Sequence, residues 1–143
     1  MSLEIAFQNN RLRIVAGAAQ TGGAFTVIDY IAGAGFVMPI AHIHEEVDEL
    51  CYVLEGELTL VVGDETIDAG PGQMVWKPHG IPHSFLVKGP SPARFIEVST
   101  PAGIERYFEE AAALMSGGRM PDPAALIALM RRHRMEPTPE SKS

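Results

Sequence analysis

The chain has 143 residues, which predicts one domain, and 46% of them are hydrophobic, enough for a packed core. Its net charge of −7, together with the lack of any apolar run of about 18 residues, argues against nucleic acids and membranes as partners. The single cysteine, Cys51, excludes an internal disulfide. Because no leader-like segment opens the chain, we expect a cytoplasmic protein.

Residues 1–100 contain short strand-like segments separated by turns that are rich in glycine and proline. Strands are predicted at residues 3–7, 12–16, 24–31, 36–44, 49–54, 57–62, 73–77, 83–88 and 93–99. A tight hairpin is predicted at Gly63-Asp64. Strands of this length and spacing, without alternating helices, predict an all-β barrel or sandwich.

The pattern changes at Pro101. Thr100-Pro101 and Asp122-Pro123 each have the form of an N-cap followed by proline at the first helical position, so two C-terminal helices are predicted. The first helix is expected to end at Gly117-Gly118. Its apolar stripe consists of Ile104, Tyr107, Phe108, Ala111 and Met115.

We expect this stripe to pack on the outside of the barrel or across a dimer, with Glu105, Arg106, Glu109 and Glu110 towards solvent. The alternative is that the first helix forms a lid over the pocket. We assign residues 1–100 to the barrel, residues 101–136 to a helical extension of the same domain, and residues 137–143 to a flexible tail. A homodimer is expected, with residues 3–16 at the interface.

Four side chains in the middle of the chain suit a divalent transition metal. His42 and His44 share one strand face because strand side chains alternate, and Glu49 can join them after a bend in the polar run between. His83 follows a Pro/Gly-rich turn. Three imidazoles and one carboxylate leave open coordination positions and suit Fe, Mn, Ni, Co, Cu or Zn. The plain alternative is that His42 and His44 are polar residues on a solvated strand.

Strand alternation also predicts the neighbours of this site. The expected pocket-lining residues are Cys51, Met74, Trp76, Phe85 and Val87. Lys77 is expected to face water, which is what places Met74 and Trp76 on the inner side. Cys51 is interpreted first as a buried, inert thiol, with a place near the metal as the alternative. His79 is interpreted as an exposed turn residue, with an acid–base role at the pocket mouth as the alternative.

The two histidine-bearing stretches resemble the two motifs of the cupin superfamily. The first motif is matched by His42-x-His44, four residues, Glu49, six residues and Gly56. The second is matched by Gly72, five residues, Pro78-x-Gly80, two residues and His83. The resemblance covers residues 36–99. It departs from the family pattern at Gly35, which lies one residue too far from His42, and at Val87, which stands where asparagine is frequent.

The resemblance implies a double-stranded β-helix barrel of the jelly-roll type, here followed by two helices. It also implies that His42, His44, Glu49 and His83 hold the metal. Similarity to cupin dioxygenases further implies a metal-dependent oxidoreductase that acts on a small oxygenated organic molecule, with Glu49 doubling as the catalytic base. The alternative is a non-catalytic module that binds or senses a small ligand, since the fold alone does not fix an activity.

Overall fold

The structure is a computed structural model that describes residues 3–115 and 121–138. The first strands are β1 (Leu3–Phe7), β2 (Asn10–Ala16), β3 (Thr26–Ala32), β4 (His42–His44), β5 (Asp48–Glu55) and β6 (Leu58–Val62). They are followed by β7 (Glu65–Ala69), β8 (Met74–Lys77), β9 (His83–Leu86), β10 (Ala93–Thr100) and β11 (Met135–Pro137). The helices are α1 (Ala18–Thr21), α2 (Ile104–Leu114) and α3 (Pro123–Arg132).

The strands form two antiparallel sheets. One has six strands in the order β1-β2-β3-β10-β5-β8, and the other has five in the order β11-β4-β9-β6-β7. Val62 pairs with Glu65, so the predicted two-residue turn at Gly63-Asp64 is confirmed. The predicted all-β barrel with C-terminal helices is confirmed as well.

Gly56 shows why the first motif ends in glycine. It adopts a φ of 75° in the turn between β5 and β6, a region that favours glycine. A Cβ at this position would also collide with the carbonyl oxygen of Pro92. The β5–β6 turn therefore packs directly against the chain that enters β10.

Apolar side chains at alternate positions fill the space between the sheets. In β2, Leu12 and Ile14 are buried while Arg11 and Arg13 are exposed, which follows strand alternation. Phe95 on β10 is among the largest side chains that are almost completely buried. Several charged or ionisable side chains point into the same interior, namely His42, His44, Glu49, Lys77, His83 and Glu97.

The C-terminal helices begin differently from one another. Asp122 caps α3 as predicted, because its side chain accepts a hydrogen bond from the Ala124 N–H. The predicted cap at Thr100 is wrong, since β10 extends to that residue and α2 starts only at Ile104, after Gly103. The predicted helix end at Gly117-Gly118 lies outside the described residues.

The chain beyond α3 returns to the barrel. Glu136 and Pro137 were expected at the end of the helical extension and in a flexible tail, but both lie in β11, which pairs with β4. Met135 pairs with His44 and Pro137 with His42, so this short strand covers the otherwise open edge of the histidine-bearing strand. Residues 139–143 of the predicted tail lie outside the described residues.

Candidate metal centre and cavity

The four predicted ligands lie together in the interior of the barrel. His42 and His44 point inwards from β4, and His83 on the neighbouring β9 pairs directly with His42. Ring nitrogens of the three histidines lie within 4.8 Å of one another. Glu49 reaches them from β5 in the other sheet, and all four side chains are buried.

Glu49 bridges two of the imidazoles. Its Oε1 lies 3.0 Å from His44 Nε2 and 3.3 Å from His83 Nε2. Its other oxygen, Oε2, accepts a hydrogen bond of 3.0 Å from the Ser99 hydroxyl on β10. Ser99, which sequence reasoning missed, therefore fixes the orientation of the carboxylate.

The hydrogen bonds leave ring nitrogens available for a metal ion. His42 Nδ1 lies 3.0 Å from the Ile40 carbonyl oxygen and donates to it, so the lone pair of this ring is on Nε2. His44 Nδ1 and His83 Nδ1 are buried and have no hydrogen-bond partner among the described residues. The Nε2 atoms of His44 and His83 both face Glu49 Oε1, and together with the lone pair on His42 Nε2 they form a set of nitrogen and oxygen donors that a metal ion fits.

Burial sets the protonation states of the cluster. It lowers the pKa of His42 to about 3, and it also lowers the pKa of His83. Burial alone would raise the pKa of Glu49, but the neighbouring His44 and Lys77 outweigh it and hold that pKa well below its usual range. At neutral pH His42 and His83 are therefore neutral and Glu49 is ionised, the forms that bind a metal.

A buried ion pair lies beside Glu49. Lys77 Nζ donates a hydrogen bond to Glu97 Oε1, and both side chains are almost completely buried. Burial alone would lower the pKa of Lys77, but the charges of Glu97 and Glu49 raise it instead, so the ammonium stays protonated. Burial also raises the pKa of Glu97, to about 8, against the opposing effect of Lys77.

The position of Lys77 overturns the predicted orientation of β8. Lys77 was expected to face water, but it lies opposite Glu49 on the neighbouring strand β5, and its side chain points into the barrel. Met74 and Trp76 consequently point outwards, with relative exposures of 59% and 52%, and the prediction that they line the pocket is wrong. Inside the barrel, Lys77 pairs with the buried carboxyl group of Glu97. The alternation of residues along one strand did not reveal this partner.

The other predicted pocket residues occupy different positions. Phe85 lines the cavity next to the histidines. Cys51 and Val87 are buried in the core but are not among the residues that line this cavity. Burial raises the pKa of Cys51 to about 12, as expected of an inert thiol. His79 is exposed, and both its backbone N–H and its ring bind Asp48.

The cavity beside the cluster has mainly apolar walls. The barrel contributes Tyr30, Phe36, Met38, Ile40, Phe85 and Phe95. The helical region contributes Ile104, Tyr107, Phe108, Ala111, Leu126 and Met130. The two C-terminal helices thus form one wall of the cavity, and the prediction that α2 packs only on the outside of the barrel is wrong. The arrangement corresponds to the lid alternative.

Glu105 anchors the beginning of this wall. It was expected to face solvent, but its carboxylate accepts hydrogen bonds from the Ala18 N–H, the Thr26 hydroxyl and the Gly103 N–H. These contacts tie α2 to β3 and to α1. Arg106, Glu109 and Glu110 are exposed, as expected.

Comparisons with known proteins agree with this architecture. Residues 29–99 match the family model of the cupin domain. The chain contains a cupin domain. A search of curated proteins found no match. Among the described residues, no helix has the length and hydropathy needed to cross a membrane.

Several solved cupin structures resemble the chain. KdgF from Halomonas sp. shares the fold at 20% identity and a TM-score of 0.63, over 73% of this chain and 90% of that one. The polyketide cyclase RemF from Streptomyces resistomycificus is 26% identical, with a TM-score of 0.58 over 68% of each chain. A sugar phosphate isomerase of the cupin superfamily from Silicibacter pomeroyi is 28% identical, with a TM-score of 0.56 over 64% of this chain and 59% of that one.

Proposed function

We propose that this cupin is a metal-dependent enzyme that acts on a small, mainly apolar organic molecule with oxygen substituents. The observation that carries the proposal is the buried cluster of three imidazoles and one carboxylate in the wall of an apolar cavity. A core with a purely structural role would gain nothing from four such groups, because burying them costs solvation free energy.

His42, His44, Glu49 and His83 would hold the ion. A divalent transition metal bound there would act as a Lewis acid towards a ligand oxygen and, if redox-active, would support oxidation by dioxygen. The protein itself keeps Glu49 ionised and holds its Oε2 with the Ser99 hydroxyl. We propose that Glu49 also accepts a proton from the substrate, as the catalytic base of the site.

The cavity walls indicate the class of substrate. The aromatic side chains from both sheets, together with α2 and α3, suit an aromatic or polyketide-like skeleton and exclude water from the metal centre. Among the described residues that line the cavity, Lys77 is the one lysine or arginine, and it is already paired with Glu97. A sugar phosphate, which needs unpaired cationic side chains, fits this lining less well.

Two kinds of reaction fit this substrate. The resemblance of the two sequence motifs to those of cupins leads us to propose, first, a dioxygenase-like oxidoreductase that uses a redox-active ion. The likeness to a polyketide cyclase, at 26% identity, favours a non-oxidative reaction in which the ion only polarises an oxygen. The third candidate, a module that binds its ligand without turnover, uses the same residues.

The metal site is tested by elemental analysis of protein that has been purified without a metal-affinity step. We expect His42→Ala, His44→Ala and His83→Ala each to lose most of the bound metal and to remain folded, because the barrel has its own apolar core. His79→Ala is the matched control, since this exposed histidine lies outside the cluster, and it should retain the metal. Full occupancy in all three cluster variants would show that the assigned site is wrong.

The reaction is tested on protein loaded with Fe(II) or Zn(II), using a panel of small aromatic and polyketide-like compounds. Substrate loss matched by oxygen uptake, with Fe(II) and not with Zn(II), identifies a dioxygenase. Turnover without oxygen uptake, with either ion, identifies the non-oxidative reaction. Metal-dependent binding without any turnover would contradict the enzyme proposal and favour the binding module.

A further inference from the structure

Neither Lys77 nor Glu97 is among the proposed metal ligands, yet both residues line the cavity. Lys77 lies on β8 and Glu97 on β10, the two strands that flank β5, so the pair crosses the inner face of β5 beside Glu49. Their side chains are only 6% and 7% exposed. Such a pair is costly to bury, and apolar residues of similar volume would pack here at no loss of stability.

One atom of this pair is unpaired. Glu97 Oε1 accepts from Lys77, but Glu97 Oε2 is buried and has no hydrogen-bond partner among the described residues. Leaving a buried carboxyl oxygen unpaired costs free energy, which a ligand group in the cavity could recover. Because the Lys77 ammonium already contacts Oε1, the missing partner of Oε2 is a neutral hydroxyl, which can donate to a carboxylate or accept from a protonated carboxyl group.

Two tyrosines extend this polar patch. Tyr30 and Tyr107 both line the cavity, the first from β3 and the second from α2. Burial raises the pKa of Tyr30, and the nearby charge of Glu97 raises it further, so this phenol stays protonated and lies within electrostatic reach of the carboxyl. The Tyr30 ring also stacks on Phe95, with ring centroids 4.7 Å apart, which fixes its position in the aromatic wall.

We propose that Glu97, Lys77 and Tyr30 form a second polar subsite, which binds a neutral hydroxyl of the ligand while another ligand oxygen occupies the metal centre. The inference rests on the proposed function and specifies its substrate class. Ligands of this site are small aromatic molecules with an anionic or enolic oxygen and a separate hydroxyl. The aromatic wall contacts the ring between the two oxygen groups.

The test uses the full-length, Zn(II)-loaded protein and isothermal titration calorimetry with benzoate and its 2-, 3- and 4-hydroxy derivatives. The carboxylate serves as the metal-seeking group, and the isomers place the hydroxyl at different distances from it. We expect at least one hydroxybenzoate to bind about tenfold more tightly than benzoate, the upper end of the net contribution of one hydrogen bond.

The double variant Lys77→Met/Glu97→Leu removes the subsite without leaving an unpaired charge. It should retain its melting midpoint, its zinc content and its affinity for benzoate, but lose the gain from the hydroxyl. Tyr30→Phe should lose part of the gain. Met74→Leu, on the outer face of the same strand β8, is the matched control and should keep all of it.

Each outcome has a defined meaning. Zinc-dependent binding of benzoate without any preference for a hydroxybenzoate overturns the inference and leaves the proposed function intact. A preference that persists in the double variant also overturns the inference. If no compound binds in a zinc-dependent way, both proposals fail. If the double variant does not fold, Glu97→Gln and Tyr30→Phe decide, and an undiminished preference in both overturns the inference.

Discussion

At the scale of single residues, burial keeps His42 and His83 in the neutral form that metal binding would require. An imidazole in water is half protonated near pH 6.5, whereas burial in the barrel lowers the pKa of His42 to about 3, so this ring stays neutral at any pH well above 3. The cost of this arrangement is that the unfolded chain takes up a proton at a pH where the folded chain does not. The contribution of His42 to the stability of the metal-free protein therefore decreases as the pH falls below about 6.5.

We expect His42 to lower the free energy of unfolding of the metal-free protein as the pH decreases below about 6.5. Glu97, whose folded pKa of about 8 lies above its usual value, contributes in the opposite direction, so the effect of His42 is read as the difference from a variant that lacks it. Between that value and the folded pKa of about 3, the unfolded state binds more protons at His42, so each pH unit costs about 1.4 kcal/mol. Urea unfolding from about pH 7.5 to 5 measures the slope. His42→Gln should have a clearly smaller slope, and His79→Gln should keep the original one. Equal slopes in all three proteins would contradict the assignment.

The sequence predicted which of the candidate ligands lie together better than it predicted their neighbours. His42 and His44 share a face through strand alternation, and motif spacing connects them to Glu49 and His83. Lys77 was misplaced because alternation within one strand does not reveal which strand lies beside it. Its carboxylate partner Glu97 comes from β10, two strands away in the sheet, and that pairing depends on the whole barrel. Ser99 was missed for the same reason.

At the scale of elements, the apolar stripe of α2 was recognised but its partner was not. The apolar side chains of such a stripe must be buried against another apolar surface, and either the outside of a barrel or the mouth of a cavity can provide one. The structure resolves this through β11, which pairs with β4 and brings α3 back over the interior. Glu105 fixes the other end of α2 by binding backbone and side-chain donors near α1 and β3.

Phe108 tests whether α2 acts as a cavity wall. Its ring is half-buried, lines the cavity and contacts Tyr30, with the ring centroids 6.5 Å apart. We expect Phe108→Ala to weaken binding of a ligand such as a hydroxybenzoate about tenfold or more, and to lower stability by about 2 kcal/mol, less than a fully buried phenylalanine would. Metal affinity should not change, because Phe108 is not a ligand.

Leu114→Ala is the matched control for this prediction. Leu114 lies at the end of the same helix and is 42% exposed, so its truncation should leave ligand affinity unchanged. Melting midpoints, zinc affinity and ligand affinity are measured on both variants. If Phe108→Ala lowers stability without changing ligand affinity, the prediction is wrong and α2 only stabilises the fold.

At the scale of the whole molecule, the six-stranded sheet departs from the usual distribution of polar and apolar side chains between its inner and outer faces. The inner face carries the charged groups Glu49, Lys77 and Glu97, whereas the outer face exposes the apolar side chains of Tyr52, Met74 and Trp76. Tyr52 and Met74 are direct partners across β5 and β8, so these side chains form one continuous patch. An exposed patch of this kind is typical of a contact surface between proteins.

A second copy of this chain suits the patch. The molecule as a whole is strongly acidic, which repels another copy over most of its surface. On the outer face of this sheet, however, Asp29 pairs with both Arg13 and Arg94, so this cluster has one excess positive charge. The face that we expect the homodimer to use is therefore partly apolar and less acidic than the rest of the surface. Residues 3–16, the interface first expected, form the hairpin at the opposite edge of the sheet from β8.

We expect the chain to have twice its monomer mass of 15.4 kDa in solution at micromolar concentration, as measured by light scattering. Met74→Lys/Trp76→Lys should return it to the monomer mass, because two ammonium groups from each copy would meet across the interface without partners. Val15→Lys, an exposed apolar position on β2, is the control and should stay dimeric. Dissociation by Val15→Lys alone would instead favour the N-terminal hairpin. A monomeric unmodified chain would exclude the dimer under these conditions.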